Sequence, residues 1–257
     1  MEKFNNIPQH VAVIMDGNRR WAKEHKLGVI DGHKYVANHV LEPLVEHASH
    51  IGIKFITFWA FSTENWRRDP QEVKGILSIF RRAIVDFGEK MHKKGIRIRM
   101  IGDLTKFPND IQKEVNRLVD LTKKNTRITV IFALNYGGRD EIMRAMNKAI
   151  SYELLASLKL RRSASAIRQK KDQGDKDFAE SWELTAESYA HFLDTSGIPD
   201  PDLIIRTSGE QRLSGFLMWQ SEYSELYFPD WYMPEFTPER LDEAVAEFNK
   251  RKRRFGR

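Results

Sequence analysis

The stretch His10-Val-Ala-Val-Ile-Met-Asp-Gly-Asn-Arg-Arg-Trp-Ala-Lys23 decides the fold of this chain, because an apolar run stops abruptly at a carboxylate, a glycine and two arginines. Val11 to Met15 is apolar without alternation, the pattern of a strand covered on both faces inside a parallel sheet. Gly17 permits a tight turn or a close backbone approach, Asn18 is a good N-cap, and Arg19 to Lys23 can open a helix whose free N–H groups attract anions. Asp16 is the odd member. A carboxylate beside an anion repels it unless a cation such as magnesium lies between them. The stretch therefore reads as metal-diphosphate chemistry, with a plain strand-turn-helix corner capped by Asp16 as the alternative.

Outward from this corner, Gly32-His33-Lys34 precedes an amphipathic helix in which Val36, Val40, Leu41, Leu44, Val45, Ala48 and Ile51 recur at helical spacing, closed by Gly52. His33 falls at its N-terminus, either donating to a phosphate oxygen or serving as an ordinary capping residue. Phe55 to Phe61 reads as a second strand running into Ser62-Thr-Glu-Asn65-Trp66-Arg-Arg68. Ligands of open α/β sheets bind beyond the carboxyl ends of strands, so polar strand ends at Asp16 and Ser62 point to one shared edge. A solvated loop on which Trp66 simply packs is the alternative. The helix from Glu72 to Lys94 carries Val73, Ile76, Leu77, Phe80, Ile84, Phe87 and Met91 on one face. That stripe is core, or the wall of a channel for an apolar ligand.

Arg97 to Ile101 predicts a third strand, Asn109 to Lys123 a surface helix and Ile128 to Leu134 a fourth strand. Asn135-Tyr-Gly-Gly-Arg139 ends that strand, and a helix from Asp140 to about Tyr152 follows. The repeated strand-loop-helix rhythm predicts a mostly parallel sheet. Leu158 to Asp177, dense in Lys and Arg and nearly free of aromatics, predicts a mobile basic insertion. Asp202 to Arg206 is a fifth strand, and Thr207-Ser-Gly-Glu-Gln-Arg212-Leu-Ser214 behind it makes a second anion cradle, since guanidinium forks match phosphate oxygens. Phe216 to Trp219 is a sixth apolar segment. Glu225 stands among Tyr223, Leu226, Tyr227 and Phe228, where a carboxylate needs magnesium, Arg212, a backbone N–H or a structural salt bridge.

Length and composition bound the function. At 257 residues one α/β domain is the natural expectation. The absence of cysteine excludes a disulfide framework and thiolate metal sites and is compatible with a reducing compartment. The first residues lack the apolar core of a signal peptide and no apolar run approaches the length of a membrane span, so a cytoplasmic chain is expected. The net charge of +6 favours nucleic acid, an anionic membrane surface or a diphosphate as partner. Neither G-x-x-x-x-G-K-[ST] nor G-x-G-x-x-G occurs, which removes the usual nucleotide readings.

Six segments in order resemble the cis-prenyltransferases of the undecaprenyl diphosphate synthase type: His10 to Lys23, Gly32-His-Lys34, Ala60-Phe-Ser-Thr-Glu-Asn-Trp66 with Arg68, Ala133-Leu-Asn-Tyr-Gly-Gly-Arg139, Asp200 to Glu210, and Phe216-Leu-Met-Trp-Gln220 through Phe228. The resemblance implies a six-stranded mostly parallel sheet flanked by helices, a hydrophobic tunnel, and a homodimer condensing isopentenyl diphosphate onto an allylic diphosphate. It implies that Asp16 coordinates magnesium, with Glu225 supporting the metal and the dimer side. Gly17, Asn18, Arg19 and Arg20, helped by His33 and Arg68, would hold the allylic diphosphate, with Trp21 and Trp66 also in the substrate-binding set. Arg206, Arg212 and Ser214 would hold isopentenyl diphosphate, Asn65 and Ser62 would position the reacting pair, and Arg254 in the basic tail would complete the partner's site. There is no Asp-Asp-x-x-Asp box, which argues against the trans-prenyltransferase fold.

The chain departs from the family at three points. Val29 stands near the place of a usual arginine, Val36 replaces the second glycine of Gly-His-x-x-Gly, and Arg19 stands where glycine is common. Weaker binding of a standard starter is expected. The rival enzyme reading is a synthase of a short or branched isoprenoid diphosphate, and the rival of another class is a basic module binding nucleic acid or a membrane surface. No nucleic-acid partner is expected; a peripheral membrane contact for product release is.

Overall fold

The computed structural model describes residues 4, 6–152 and 184–251. The expected insertion at 158–177 and Arg254 lie outside the described residues. Five strands fall close to where the apolar runs predict them: β1 (His10–Ile14), β2 (Phe55–Ser62), β3 (Arg97–Ile101), β4 (Thr129–Tyr136) and β5 (Leu203–Arg206). The sixth does not. Phe216 to Trp219 lies in a run of turns, with Phe216 stacked on Trp59 at a 5.0 Å ring separation, and β6 is Glu225–Tyr227.

All strand pairs are parallel, in the order β3-β4-β2-β1-β5-β6. Val11, Ala12 and Val13 are fully buried, as an unalternating apolar strand requires. His10 is also buried: its Nε2 meets the Thr57 hydroxyl and its Nδ1 the Pro199 carbonyl, each at 2.7 Å. The chain proceeds from β1 to β2 on one side and returns later to β5 on the other. The gap between β1 and β5 is thus a topological switch point, where doubly wound sheets open a crevice at their carboxyl edge.

The helices are α1 (Asn18–Glu24), α2 (Asp31–Tyr35), α3 (Leu41–Ile51), α4 (Pro70–Lys93), α5 (Asn109–Thr122), α6 (138–152), α7 (Ala186–Ala190) and α8 (Pro238–Lys250). The single helix predicted from Val36 to Ile51 begins instead with a π-helical turn, Val36–Val40, before α3 ends at left-handed Gly52. In α4, Ile76, Ile84, Phe87 and Met91 are buried, so the predicted stripe faces inward.

The chain forms two compact units, one reaching to Gly138 and resuming at Pro199, the other Arg139–Ile198. Within the second, Arg144 grips Asp194 through two bonds of 2.8 and 2.6 Å and Asp140 through one of 2.7 Å, while the Tyr189 hydroxyl donates to the Ile142 carbonyl at 2.6 Å.

Candidate active site

Ile14 of β1 pairs with Arg206 of β5, which sets the Asp16 corner beside the 207–214 loop. Thr207, fully buried, ties the two together: its hydroxyl accepts from the Asp16 N–H at 2.9 Å and donates to the Asp16 carbonyl at 2.6 Å. Gly17 has φ of +92°, and a Cβ there would stand 2.5 Å from Cδ1 of Tyr232. Only glycine fits a left-handed turn this tightly covered.

Asp16 Oδ2 accepts from Arg206 at 2.9 Å (Nη2) and 3.3 Å (Nε), and Oδ1 accepts from the Gly17 N–H at 2.7 Å. Burial pushes the Asp16 carboxyl up, but the Arg206 and Gly17 hydrogen bonds and the charges of Arg206 and Arg20 outweigh it and hold it below the usual range. Arg206 is buried and turns its other face to the Ser214 hydroxyl at 2.8 Å and to the Arg212 carbonyl. Ser208 and Ser214 both have positive φ, +78° and +52°, backbone strain of the kind that fixed sites retain.

Arg20 spans the two corners. Its guanidinium donates to the Ser208 hydroxyl at 2.5 Å and lies 3.5 Å from Asp16 Oδ1 and from Glu210 Oε1. Across the opening, Glu72, whose side chain is 10% exposed, holds Arg68 at 2.8 Å and Arg19 at 3.7 Å. His33 Nε2 and Asn18 Oδ1 are buried without a protein partner. Burial first, then the charges of Arg68 and Arg19, push His33 down to about 4, so it is neutral near pH 7. Gly32 permits this arrangement, since a Cβ there would fall 2.1 Å from the Asn18 carbonyl oxygen.

Three cavities meet at Met15, Asn18 and His33, which line them all. One polar basin, about 590 Å³, is walled by Asp16, Gly17, Arg19, Arg20, Lys23 and Arg68, with Leu27 and Val29 at its rim. The other, about 280 Å³, is walled by Asp16, Ser62, Asn65, Arg68, Arg206 and Ser214. Behind them lies an apolar cavity of about 100 Å³ between the sheet and α4, lined by residues including Ala60, Ile76, Phe80, Phe87 and Phe132. Asp16 and Arg68 line both basins.

Asp16, Gly17, Asn18, Arg19, Arg20, His33, Ser62, Asn65, Arg68, Arg206 and Ser214 are thereby brought together. Ser62 and Asn65 also serve local structure, the Asn65 side chain accepting from the Ser62 N–H at 3.0 Å in a capping box. Four other expected site residues point elsewhere. Trp21 stacks on His25 at 4.2 Å, and Trp66 packs on Phe61 and Phe107 with its N–H on Asn135 at 2.8 Å. The Arg212 guanidinium pairs with Glu210 at 2.5 Å and is largely exposed; only its carbonyl reaches Arg206.

Glu225 lies apart from the Asp16 corner within the chain. It opens β6 level with Leu203, at the amino end of the parallel strands, and accepts from Arg251 at 3.0 Å. Asp16 lies beyond the carboxyl end of β1, so the two carboxylates do not face one another within the chain. Sequence reasoning did not single out Lys23, Glu72 or Tyr232 for the site. Lys23 closes the opening stretch, while Glu72 and Tyr232 carry no local signal; Thr207 and Ser208 belong to the expected cradle, and the structure adds that they tie it to Asp16 and Arg20.

Among the described residues no group of three His, Asp or Glu is placed to hold a metal. Asp16, the one carboxylate that lines both basins, would suit a magnesium ion held mainly by water and by the phosphate oxygens of a ligand.

Known proteins place this geometry. A family model described as "Putative undecaprenyl diphosphate synthase" matches residues 14–256. The isoprenyl transferase of Aquifex pyrophilus is 40% identical over 251 residues, covering 98% of this chain and 96% of the relative. That of Agrobacterium fabrum is 41% identical over 252 residues, covering 98% and 93%. Among solved structures, lavandulyl diphosphate synthase from Lavandula x intermedia, in complex with dimethylallyl diphosphate, superposes with a TM-score of 0.80 at 30% identity over 98% of this chain and 99% of that one. A probable undecaprenyl diphosphate synthase from Campylobacter jejuni gives 0.73 at 29% identity over 98% and 100%. With a family model and relatives that match nearly the whole chain, the chain belongs to the undecaprenyl diphosphate synthase family of cis-prenyltransferases.

Proposed function

We propose that the protein joins isopentenyl diphosphate to an allylic diphosphate to give a Z-polyprenyl diphosphate, undecaprenyl or similar, as a magnesium-dependent homodimer in the cytoplasm that contacts the membrane peripherally to release product. The observation that carries this reading is the junction at Met15, Asn18 and His33, where two basins sharing Asp16 and Arg68 open onto one apolar cavity. A diphosphate in each basin would hold the reacting carbons between them, with the growing hydrocarbon in the apolar cavity.

Two diphosphates at close range repel strongly, so cations must neutralise them before the carbons can meet. Arg19, Arg20, Lys23 and Arg68 face the first basin and Arg206 the second. When bound at Asp16, magnesium supplies further charge neutralisation for the departing pyrophosphate. The allylic C–O bond breaks, the isopentenyl double bond attacks the allylic carbon, and a proton leaves the isopentenyl unit. Neutral His33 presents its unpartnered Nε2 at the junction without adding charge that would draw the hydrocarbon's place full of water. Pyrophosphate accepts the proton; loss of turnover without loss of binding in Ser62→Ala or Asn65→Ala would instead indicate a protein relay.

A short or branched product is the second reading. It is favoured by the apolar cavity of about 100 Å³, below the roughly 150 Å³ that accommodates one benzene ring. A long product requires this cavity, which Phe80 and Phe87 of α4 help to line, to widen. Incubation with labelled isopentenyl diphosphate, magnesium and allylic starters of increasing length, with products sized after phosphate removal, separates the two. Absence of any condensation, with salt-sensitive polyanion binding that survives Asp16→Ala, would favour a binding module instead.

A further inference from the structure

We propose that Tyr232 is a positioning residue for Arg20, holding its guanidinium at the wall of the first diphosphate basin, where it reaches both Asp16 and Ser208; this rests on the prenyl-transfer reading above. The Tyr232 ring lies directly on the Gly17 turn, and the Arg20 guanidinium carbon stands 5.6 Å from its centroid, within cation–π range. The ring is itself fixed at its far end, where the hydroxyl donates to Glu24 Oε1 at 2.7 Å. Its backbone is fixed as well: the Tyr232 N–H donates to Glu235 at 2.8 Å.

The segment around Tyr232 also joins both corners. The Trp231 carbonyl accepts from the Ser208 N–H at 2.8 Å, and the Met233 N–H donates to the Asp16 carbonyl at 3.0 Å. Tyr232 therefore sits on the bracket that sets the spacing of the two corners, and its aromatic face meets the cation that spans them. A flexible arginine stem would otherwise let that guanidinium swing toward solvent, since 44% of the Arg20 side chain is exposed. Fixing it beforehand lowers the ordering cost when a diphosphate arrives.

The test uses the full-length enzyme and farnesyl diphosphate as the allylic probe, comparing Tyr232→Phe, Tyr232→Leu, Glu24→Gln and Arg20→Ala. Tyr232→Leu is expected to raise the KM for farnesyl diphosphate about five- to tenfold with kcat changed less than threefold, whereas Tyr232→Phe, which keeps the aromatic face, stays within about twofold on both. Glu24→Gln is expected to behave as Tyr232→Phe. Should Tyr232→Leu fail to fold, Tyr232→Met provides the same comparison. Equal KM values for the Leu and Phe variants overturn the inference, as does a Leu variant that loses kcat and thermal stability together without a KM effect. Arg20→Ala separates the two levels: if it raises the KM and Tyr232→Leu does not, this inference alone fails; if it leaves the KM unchanged, the assignment of the first basin to the allylic diphosphate fails.

Discussion

Arg206 and Asp16 sit at the tips of neighbouring parallel strands and are joined by two hydrogen bonds, 2.9 and 3.3 Å, that cross the switch point of the sheet. The pair does two things at once. It balances a buried guanidinium in the absence of ligand, and it keeps the one carboxylate common to both basins ionised.

Replacing Asp16 with Asn preserves shape and some hydrogen bonding but leaves Arg206 without its counter-charge. A stability loss of about 1–3 kcal/mol is expected, checked by urea unfolding at pH 7. Because the folded pKa is depressed, the carboxylate's contribution is fully present above its ordinary value of 3.8 and is lost as pH falls through the folded value. The difference between wild type and Asp16→Asn should accordingly be constant from pH 6 to 8 and shrink only below pH 4.

His10 and His33 predict a separate acid sensitivity at higher pH. Burial brings both from 6.5 down to about 4, so between those values the unfolded chain binds protons that the folded one does not. Stability should therefore fall as pH drops from 6.5 toward 4, by up to about 1.4 kcal/mol per pH unit for each histidine. Thermal melts of His33→Gln should show roughly half the wild-type slope in this window; an unchanged slope contradicts the burial of a neutral imidazole there.

Gly32→Ala forces a methyl against the Asn18 carbonyl, 2.1 Å from the ideal Cβ position. Backbone cannot yield as a side-chain tip can, and a cost of about 2 kcal/mol or more is expected. A calorimetric scan should show the melting temperature lowered by roughly 4–8 °C.

Val29 is 47% exposed at the rim of the basin that holds Arg19, Arg20, Lys23 and Arg68. Val29→Arg adds a cation at that rim and should lower the KM of an allylic starter about three- to tenfold, with the gain reduced at high salt. An unchanged or raised KM would show that Arg19, held by Glu72, already supplies what the family's usual arginine gives.

Much of this site is visible in the sequence because strand ends carry it. Val11 to Met15 and Leu203 to Arg206 announce buried strands, and the polar residues directly behind them had to lie at the same edge once the sheet was parallel. What could not be read depends on contacts between distant segments. Glu72 looks like any first-turn helix carboxylate until Arg19 and Arg68 are brought to it, and Tyr232 is an ordinary aromatic until it covers Gly17. Trp66 and Glu225 show the converse: each lies in a recognisable motif, yet within the chain one packs in the aromatic cluster and the other opens β6 at the amino end of the strands. The π-helical turn at Val36–Val40 left no mark on the apolar spacing at all.

The central claim is that one carboxylate serves two diphosphates, and incorporation of labelled isopentenyl diphosphate into an allylic starter tests it most directly, with wild type and Asp16→Asn each assayed with magnesium and after its removal by a chelator. Turnover should require magnesium in the wild type and fall at least about 100-fold in Asp16→Asn, while the variant stays folded. Elongation that continues undiminished without magnesium, or in Asp16→Asn, would contradict the account.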